Sequence, residues 1–199
     1  IYERNCEMAK ENRARYVILG LLAHEILSGY DIKKRIGTRV RYFYDISYGQ
    51  LYPELTRLER EGLIAREAAS SEGRVRKLYS ITEAGRRELE CWAGSPAEEE
   101  KIQYDILLKL FFGADCSLRA IRRHLETFLN RNIAKLAVMA EYEKQLKAVM
   151  EEHSCHLYYW LTVLCGRHVF QAHVAWAEEA LAILEKMEMS DDGERGRKS

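Results

Sequence analysis

This chain of 199 residues lacks most of the patterns that mark catalysis, metal binding or membrane insertion. Its five cysteines, Cys6, Cys91, Cys116, Cys155 and Cys165, include no CxxC pair and are odd in number. With no secretory leader before them, they read as reduced thiols of a cytoplasmic chain. Cys91 and Cys165 are expected as buried apolar residues rather than redox sensors. No uninterrupted apolar run approaches the ~20 residues of a bilayer span, so no membrane partner is expected. There is no Gly-rich phosphate loop, nucleophile elbow or HExxH, so the sequence gives no case for an enzyme. Proline is limited to Pro53 and Pro96. Net charge is zero, from 31 basic and 31 acidic residues, which argues against a general binder of polyanions.

The charge is unevenly distributed, however. Residues 1–94 carry a net +3 (17 against 14) and residues 95–199 a net −3 (14 against 17). The basic excess is concentrated in 29–44, where Lys33, Lys34, Arg35, Arg39 and Arg41 face a single Asp31. One half of the chain is thus suited to an anionic partner; the alternative is a solvated helix face. The apolar fraction of 47% is that of an ordinary globular protein able to bury a core.

The stretch SYGQLYPELTRLEREGLI (47–64) reads as one helix. Ser47 and Gln50 form a capping box, and Gly62 suits the left-handed residue that closes a helix. Leu51, Leu55 and Leu58 make an apolar stripe, while Ser47, Tyr48, Gln50, Tyr52 and Thr56 place polar groups on the first turns. Pro53 removes the bond to the carbonyl of Gly49. Upstream lie an apolar helix over 15–25 and a basic helix over about 29–38, started by Ser28 and Asp31. Downstream, 63–69 and 75–81 flank the turn cluster Ser70–Gly73 and read as a β-hairpin. Thr82 caps a helix that ends at Gly94. The order helix, helix, helix, hairpin, helix predicts a winged helix-turn-helix over 1–94, with the third helix as reader and the hairpin as wing.

Ser95, Pro96 and Glu98 carry the signature of a new helix start, running to about Phe112. Two much longer helices follow, beginning at Ser117 and after HSCH (153–156). The first seam includes Leu118, Ile121, Leu125, Phe128 and Met139, with Asn132 and Lys135 as polar breaks. The second includes Trp160, Val163, Phe170, Val174, Ala177, Leu181 and Leu184, broken by Arg167. Stripes this long predict pairing with a second copy of the chain, with Trp160, Phe170, Val174 and Leu181 facing the neighbouring helix or the partner. The fold class expected is mainly α: a winged helix-turn-helix domain (1–94), a helical dimerisation and effector domain (95–189) and a disordered tail (190–199).

Taken in order, YVILGLL (16–22), SGYDIKKRI (28–36), YGQLYPELTRLEREGLI (48–64) and RKLYSITEAGRREL (76–89) resemble the PadR family of transcriptional regulators. DILLKLFFG (105–113) and HVAWAEEALAILEKM (173–187) are similar to the large C-terminal domain that some members carry. The resemblance implies a homodimer whose winged helices bind a palindromic operator in double-stranded DNA, usually to repress neighbouring genes. It also implies, for some members, release on binding phenolic acids or drugs. The competing reading is a winged-helix module that docks proteins and has no operator.

Residue by residue, Tyr48 and Gln50 are the candidates for base contact, Gln being able to bond adenine in bidentate fashion. Tyr52, Lys33, Lys34, Arg57, Arg74, Arg76 and Lys77 are candidates for phosphates, which position without specifying, and Ser47 can bond either a base edge or a phosphate. For Arg57 the alternative is an ion pair with Glu54 or Glu61. Tyr16, Tyr42, Phe43 and the aromatic residues of 158–176 are candidates for an aromatic effector site between the winged helix and the C-terminal helices, against the alternative that they simply bury the domain junction. His153 and His156, with Cys155 between them and His168 and His173 further on, match no closed metal-ligand spacing, so neither a metal nor a cofactor is expected.

Overall fold

The structure is a computed structural model that describes residues 13–42, 44, 46–71, 74–99 and 103–195. The chain divides into two compact units, Ile1–Glu99 and Glu100–Ser199. In the first, α1 (Arg13–Leu22) is followed by β1 (Leu27–Ser28), α2 (Gly29–Arg35) and a π-helical turn (Ile36–Val40). Then come α3 (Tyr48–Arg60), β2 (Ile64–Ser71), β3 (Arg74–Ile81) and α4 (Glu83–Gly94). This is a winged helix.

Its core is one cluster: Tyr16, Ile18, Leu19 and Leu22 of α1, Ile32 and Ile36, the α3 stripe Leu51, Leu55 and Leu58, and Ile64 and Tyr79 of the sheet. β3 is the central strand of three, antiparallel to both neighbours. The wing register runs from Ile64 opposite Ile81 to Ser71 opposite Arg74, so pairing extends into the stretch expected as turn. The short strand β1 went unread in the sequence because two residues carry no periodicity; its pairing of Leu27 with Tyr79 is tertiary.

The caps follow the sequence closely. Ser28 accepts from the Asp31 amide at 3.2 Å and Thr82 from the Gly85 amide at 3.1 Å. α3 closes with Gly62 at φ 71°, and the Leu63 amide reaches back to the Leu58 carbonyl at 3.0 Å, a Schellman closure. The start of α4 docks on this exit: Thr82 Oγ1 donates to the Gly62 carbonyl at 2.7 Å. A Cβ at Gly85 would lie 2.1 Å from the Leu63 carbonyl oxygen and 2.9 Å from Ile81 Cγ1. Gly85→Ala is therefore expected to destabilise the first unit by about 1–3 kcal/mol or more. Gly94→Ala, where a Cβ meets nothing within 4 Å, should be near neutral. Urea titration of both variants checks this; equal midpoints would show that the α3–α4 contact gives way freely.

The second unit comprises α5 (Asp105–Phe111), a 3-10 turn (Gly113–Asp115), α6 (Leu118–Ala148) and α7 (Cys155–Arg195). The helix expected from Pro96 to Phe112 is shorter: residues 96–99 are non-helical and α5 begins only at Asp105. The reason lies in Ser95, whose amide and hydroxyl both donate to the Trp92 carbonyl, at 3.1 and 2.7 Å. It closes α4 instead of opening a new helix. α6 and α7 are antiparallel: Arg122 meets Glu188, Asn132 meets His173, and Glu143 meets Arg167. α7 continues to Arg195, through the first six residues of the stretch expected as a tail; 196–199 lie outside the described residues. Among the described residues no helix is long and apolar enough to cross a membrane.

Two cysteine expectations are corrected. Cys91 is disulfide-bonded and exposed, because Gly85, Leu89 and Trp92 mark the inner side of α4 and Cys91 lies off it. Cys165 is free but exposed, on the outer side of α7.

Candidate nucleic-acid interface and helical unit

α3 presents two opposite faces. Leu51, Leu55 and Leu58 enter the core, while Tyr48 and Tyr52 are 51% and 47% exposed and stack on each other at 6.3 Å. Ser47, Gln50, Thr56 and Arg57 are exposed as well. Gln50 Oε1 accepts from the Ser47 amide and from the Ser47 hydroxyl, both at 3.1 Å, which fixes the side chain across the start of the helix. This is the capping box read from the sequence.

The cations separate into those held inside the protein and those turned outward. Lys33 Nζ donates to the Ile46 carbonyl and sits 5.6 Å from the Tyr48 ring centroid, tying α2 to the connector before α3. Arg57 Nε donates to Glu61 at 2.8 Å. Glu61 also takes Arg15; burial alone would raise its carboxyl, but Arg57 and Arg15 hold it below the usual carboxylate range. The ion-pair alternative for Arg57 is thus present in this structure. Lys34, Arg76 and Lys77 are exposed. Consecutive on β3, Arg76 and Lys77 leave the wing on opposite faces. Arg74 pairs with Ser71 through its backbone, and its side chain lies outside the described residues.

Of the candidate effector residues, Tyr16 is a core residue of the first unit. It is 2% exposed, stacks on Trp92 at 4.5 Å and donates to Glu88 at 3.3 Å. Burial, and then Glu88, push its phenol up to about 12. Tyr42 is half-buried beneath Arg41, whose guanidinium lies 4.7 Å from the ring. Phe43 lies outside the described residues.

The seam of α7 faces α6 of the same chain. Phe170 and Ala177 are buried; Val174 and Leu181, at helical spacing from them, are half-buried on that side. Trp160 is half-buried beside Lys147 of α6. Sequence reading missed a second stripe on the other side of α7: Tyr158, Leu161, Cys165, Val169, Ala172, Ile183 and Met187 are all exposed. They recur at spacings of three and four, or whole multiples of a turn, and Cys165 and Ala172 concealed the pattern by being small. α5 also exposes Leu108, Phe111 and Phe112, with Phe111 at 81%.

Between α6 and α7, Asn132 is buried; its amide donates to the Phe128 carbonyl at 2.7 Å and its oxygen lies 3.3 Å from His173 Nδ1. This polar break fixes register inside one chain. Tyr104, Phe128 and Phe170 surround the imidazole at 5.2, 5.4 and 6.4 Å. Burial, and then the Lys135 ammonium, hold His173 below its ordinary value of 6.5. A depressed histidine binds its proton more readily when unfolded. Its contribution to stability is therefore complete above pH 6.5 and is lost as the pH falls from there through the lowered value. His173→Gln should flatten the decline in melting temperature between about pH 7 and about pH 5; an unchanged slope would place acid sensitivity elsewhere. His153 and His156 stand edge to face at 5.6 Å, and His156 Nδ1 lies 2.6 Å from the Val149 carbonyl oxygen. Among the described residues, no three His, Cys, Asp or Glu side chains gather as a metal site.

Comparison with known proteins agrees with this architecture in both halves. Residues 18–91 match the transcriptional regulator PadR-like family, and residues 102–185 match the family described as virulence activator alpha C-term. The chain is 29% identical over 177 residues to the negative transcriptional regulator PadR of Bacillus subtilis, covering 86% of this chain and 97% of that one. The crystal structure of Bacillus subtilis PadR in complex with operator DNA superposes with a TM-score of 0.74 at 28% identity, covering 85% of this chain and 98% of the other. The same protein in complex with p-coumaric acid gives 0.70 at 28% identity, over 86% and 98%. A winged helix with an exposed polar face on α3, followed by a long-helix unit, and matched in both halves by these relatives, belongs to the PadR-like family of transcriptional regulators.

Proposed function

We propose that the protein is a homodimeric repressor that holds palindromic duplex DNA and releases it on binding an aromatic small molecule. The observation that carries the DNA reading is the exposed face of α3, where Tyr48, Gln50 and Tyr52 stand at the start of a helix whose other side is core. Such a helix lies in the major groove with its first turns at the base edges. Lys34, Arg76, Lys77 and Arg74 are assigned to phosphates, with Tyr52 beside them, while the Ser47 hydroxyl donates to Gln50. Lys33 acts by positioning the connector and Tyr48. Arg57 reaches DNA only by leaving Glu61. The similarity to a negative regulator seen with its operator supports repression.

The second copy of the chain is assigned to the outer stripe of α7 and to the apolar surface of α5. Contiguous apolar surface of this length is an association site. Trp160, Phe170, Val174 and Leu181, on the side of α7 turned to α6, would support that interface from within. For the effector, the rings around His173 offer stacking surfaces and Lys135 a positive charge, a chemistry suited to a planar aromatic acid.

A mobility shift with DNA upstream of the protein's own gene is the test, with random duplex as competitor. The expected result is retention that random duplex cannot displace and that aromatic acids reverse. Binding no tighter than to random duplex would favour the protein-docking module instead.

A further inference from the structure

Gln50 is expected from its residue type to read adenine, giving one hydrogen bond and accepting another. Its actual bonding forbids that. The group facing the Ser47 backbone amide at 3.1 Å has to be the amide oxygen, because a backbone N–H can only donate. The Ser47 hydroxyl donates to the same oxygen, also at 3.1 Å. An amide oxygen has two lone pairs, and both are taken. What Gln50 presents outward is its Nε2 amide group alone, with two N–H donors.

We infer that Gln50 reads the major groove purely as a donor, so that the base it contacts is guanine. Guanine presents two adjacent acceptors, N7 and O6, and no donor, so that one amide NH2 group can bond either or share between them. Adenine sets a donor, N6, beside N7 and needs the oxygen that Ser47 occupies. Ser47 is thereby a specificity residue acting through Gln50: its hydroxyl removes the acceptor that adenine recognition requires. The inference rests on the DNA reading above and deepens it.

The experiment is selection from a random duplex pool by the full chain, repeated with four variants. Gln50→Glu keeps a capping oxygen and removes the donors, and the position it flattens identifies the base pair that Gln50 reads. The unaltered chain should show guanine there, favoured over adenine by roughly fivefold or more. Ser47→Ala leaves the backbone bond but frees one lone pair, and should level or reverse the preference toward adenine. Ser47→Gly does the same by a second route should the alanine variant fold poorly. Ser47→Thr restores the hydroxyl and should restore guanine. Adenine at that position in the unaltered chain would overturn the inference. So would a Gln50→Glu profile with no position flattened, or a guanine preference indifferent to the loss of the Ser47 hydroxyl. Enrichment of no sequence by the unaltered chain would instead remove the DNA reading itself, and this inference with it.

Discussion

Affinity for the operator is expected to fall by ~10³–10⁵ between about 50 and about 200 mM salt, if about six to ten phosphates are engaged per dimer. A chain of zero net charge gains no attraction to DNA from its overall charge, so binding depends on the local basic surface of the first half. Of the candidate contacts, Lys34 on α2 and Arg76 and Lys77 on the wing are turned outward, doubled by a second copy. Arg76→Ala should weaken binding to all sequences alike and lower the salt slope by about one per chain. Arg57→Ala should do much less, because Arg57 is already paired with Glu61 at 2.8 Å. Fluorescence anisotropy across a salt series separates these cases. An Arg76→Ala variant with an unchanged slope, or one that alters preference at a single base pair, would show that the wing does not hold phosphate.

A fragment ending at Glu99 is expected to fold, to be monomeric, and to lose ~10²–10⁴ in operator affinity. It should fold because its core of Tyr16, Ile18, Leu19, Leu51, Leu55 and Leu58 is complete within the first unit. It should be monomeric because, among the described residues, the longest exposed apolar stripes lie on α5 and the outer side of α7, both in the second unit. The loss of affinity follows from effective concentration: two half-sites engaged by linked readers bind as one event, whereas single readers must each bind alone. Sedimentation of the fragment gives its mass and anisotropy its affinity. A dimer as tight as that of the full chain would move the interface into the winged helix.

Where function depends on local chemistry, the sequence was legible. Ser47 with Gln50, Gly62, Thr82 and the Leu51–Leu55–Leu58 stripe each act within a turn or two, and each does in the structure what its residue type and spacing imply. Ser95 and Pro96 misled because a serine can cap a following helix or close a preceding one, and the carbonyl of Trp92 decides which. The second face of α7 escaped notice because a helix apolar on both sides has little periodicity to read, and Cys165 and Ala172 dilute what there is. The ties of Lys33 to Ile46 and of Arg15 to Glu61 join residues distant in sequence, which no spacing rule reaches. For Gln50 the residue was legible and its free atoms were not: residue type names a donor and an acceptor, and only coordinates show that the acceptor is occupied.

The central claim is that two copies of this chain, joined through their helical units, read the two halves of one duplex. Native mass spectrometry of the full chain on its selected duplex, and on a duplex cut to one half-site, tests it most directly. With readers about 34 Å apart, or a multiple of that distance, the account predicts two chains on each full site. It also predicts binding to the half-site weaker by ~10² or more. A single chain per duplex, or a half-site bound as tightly as the whole, would contradict it.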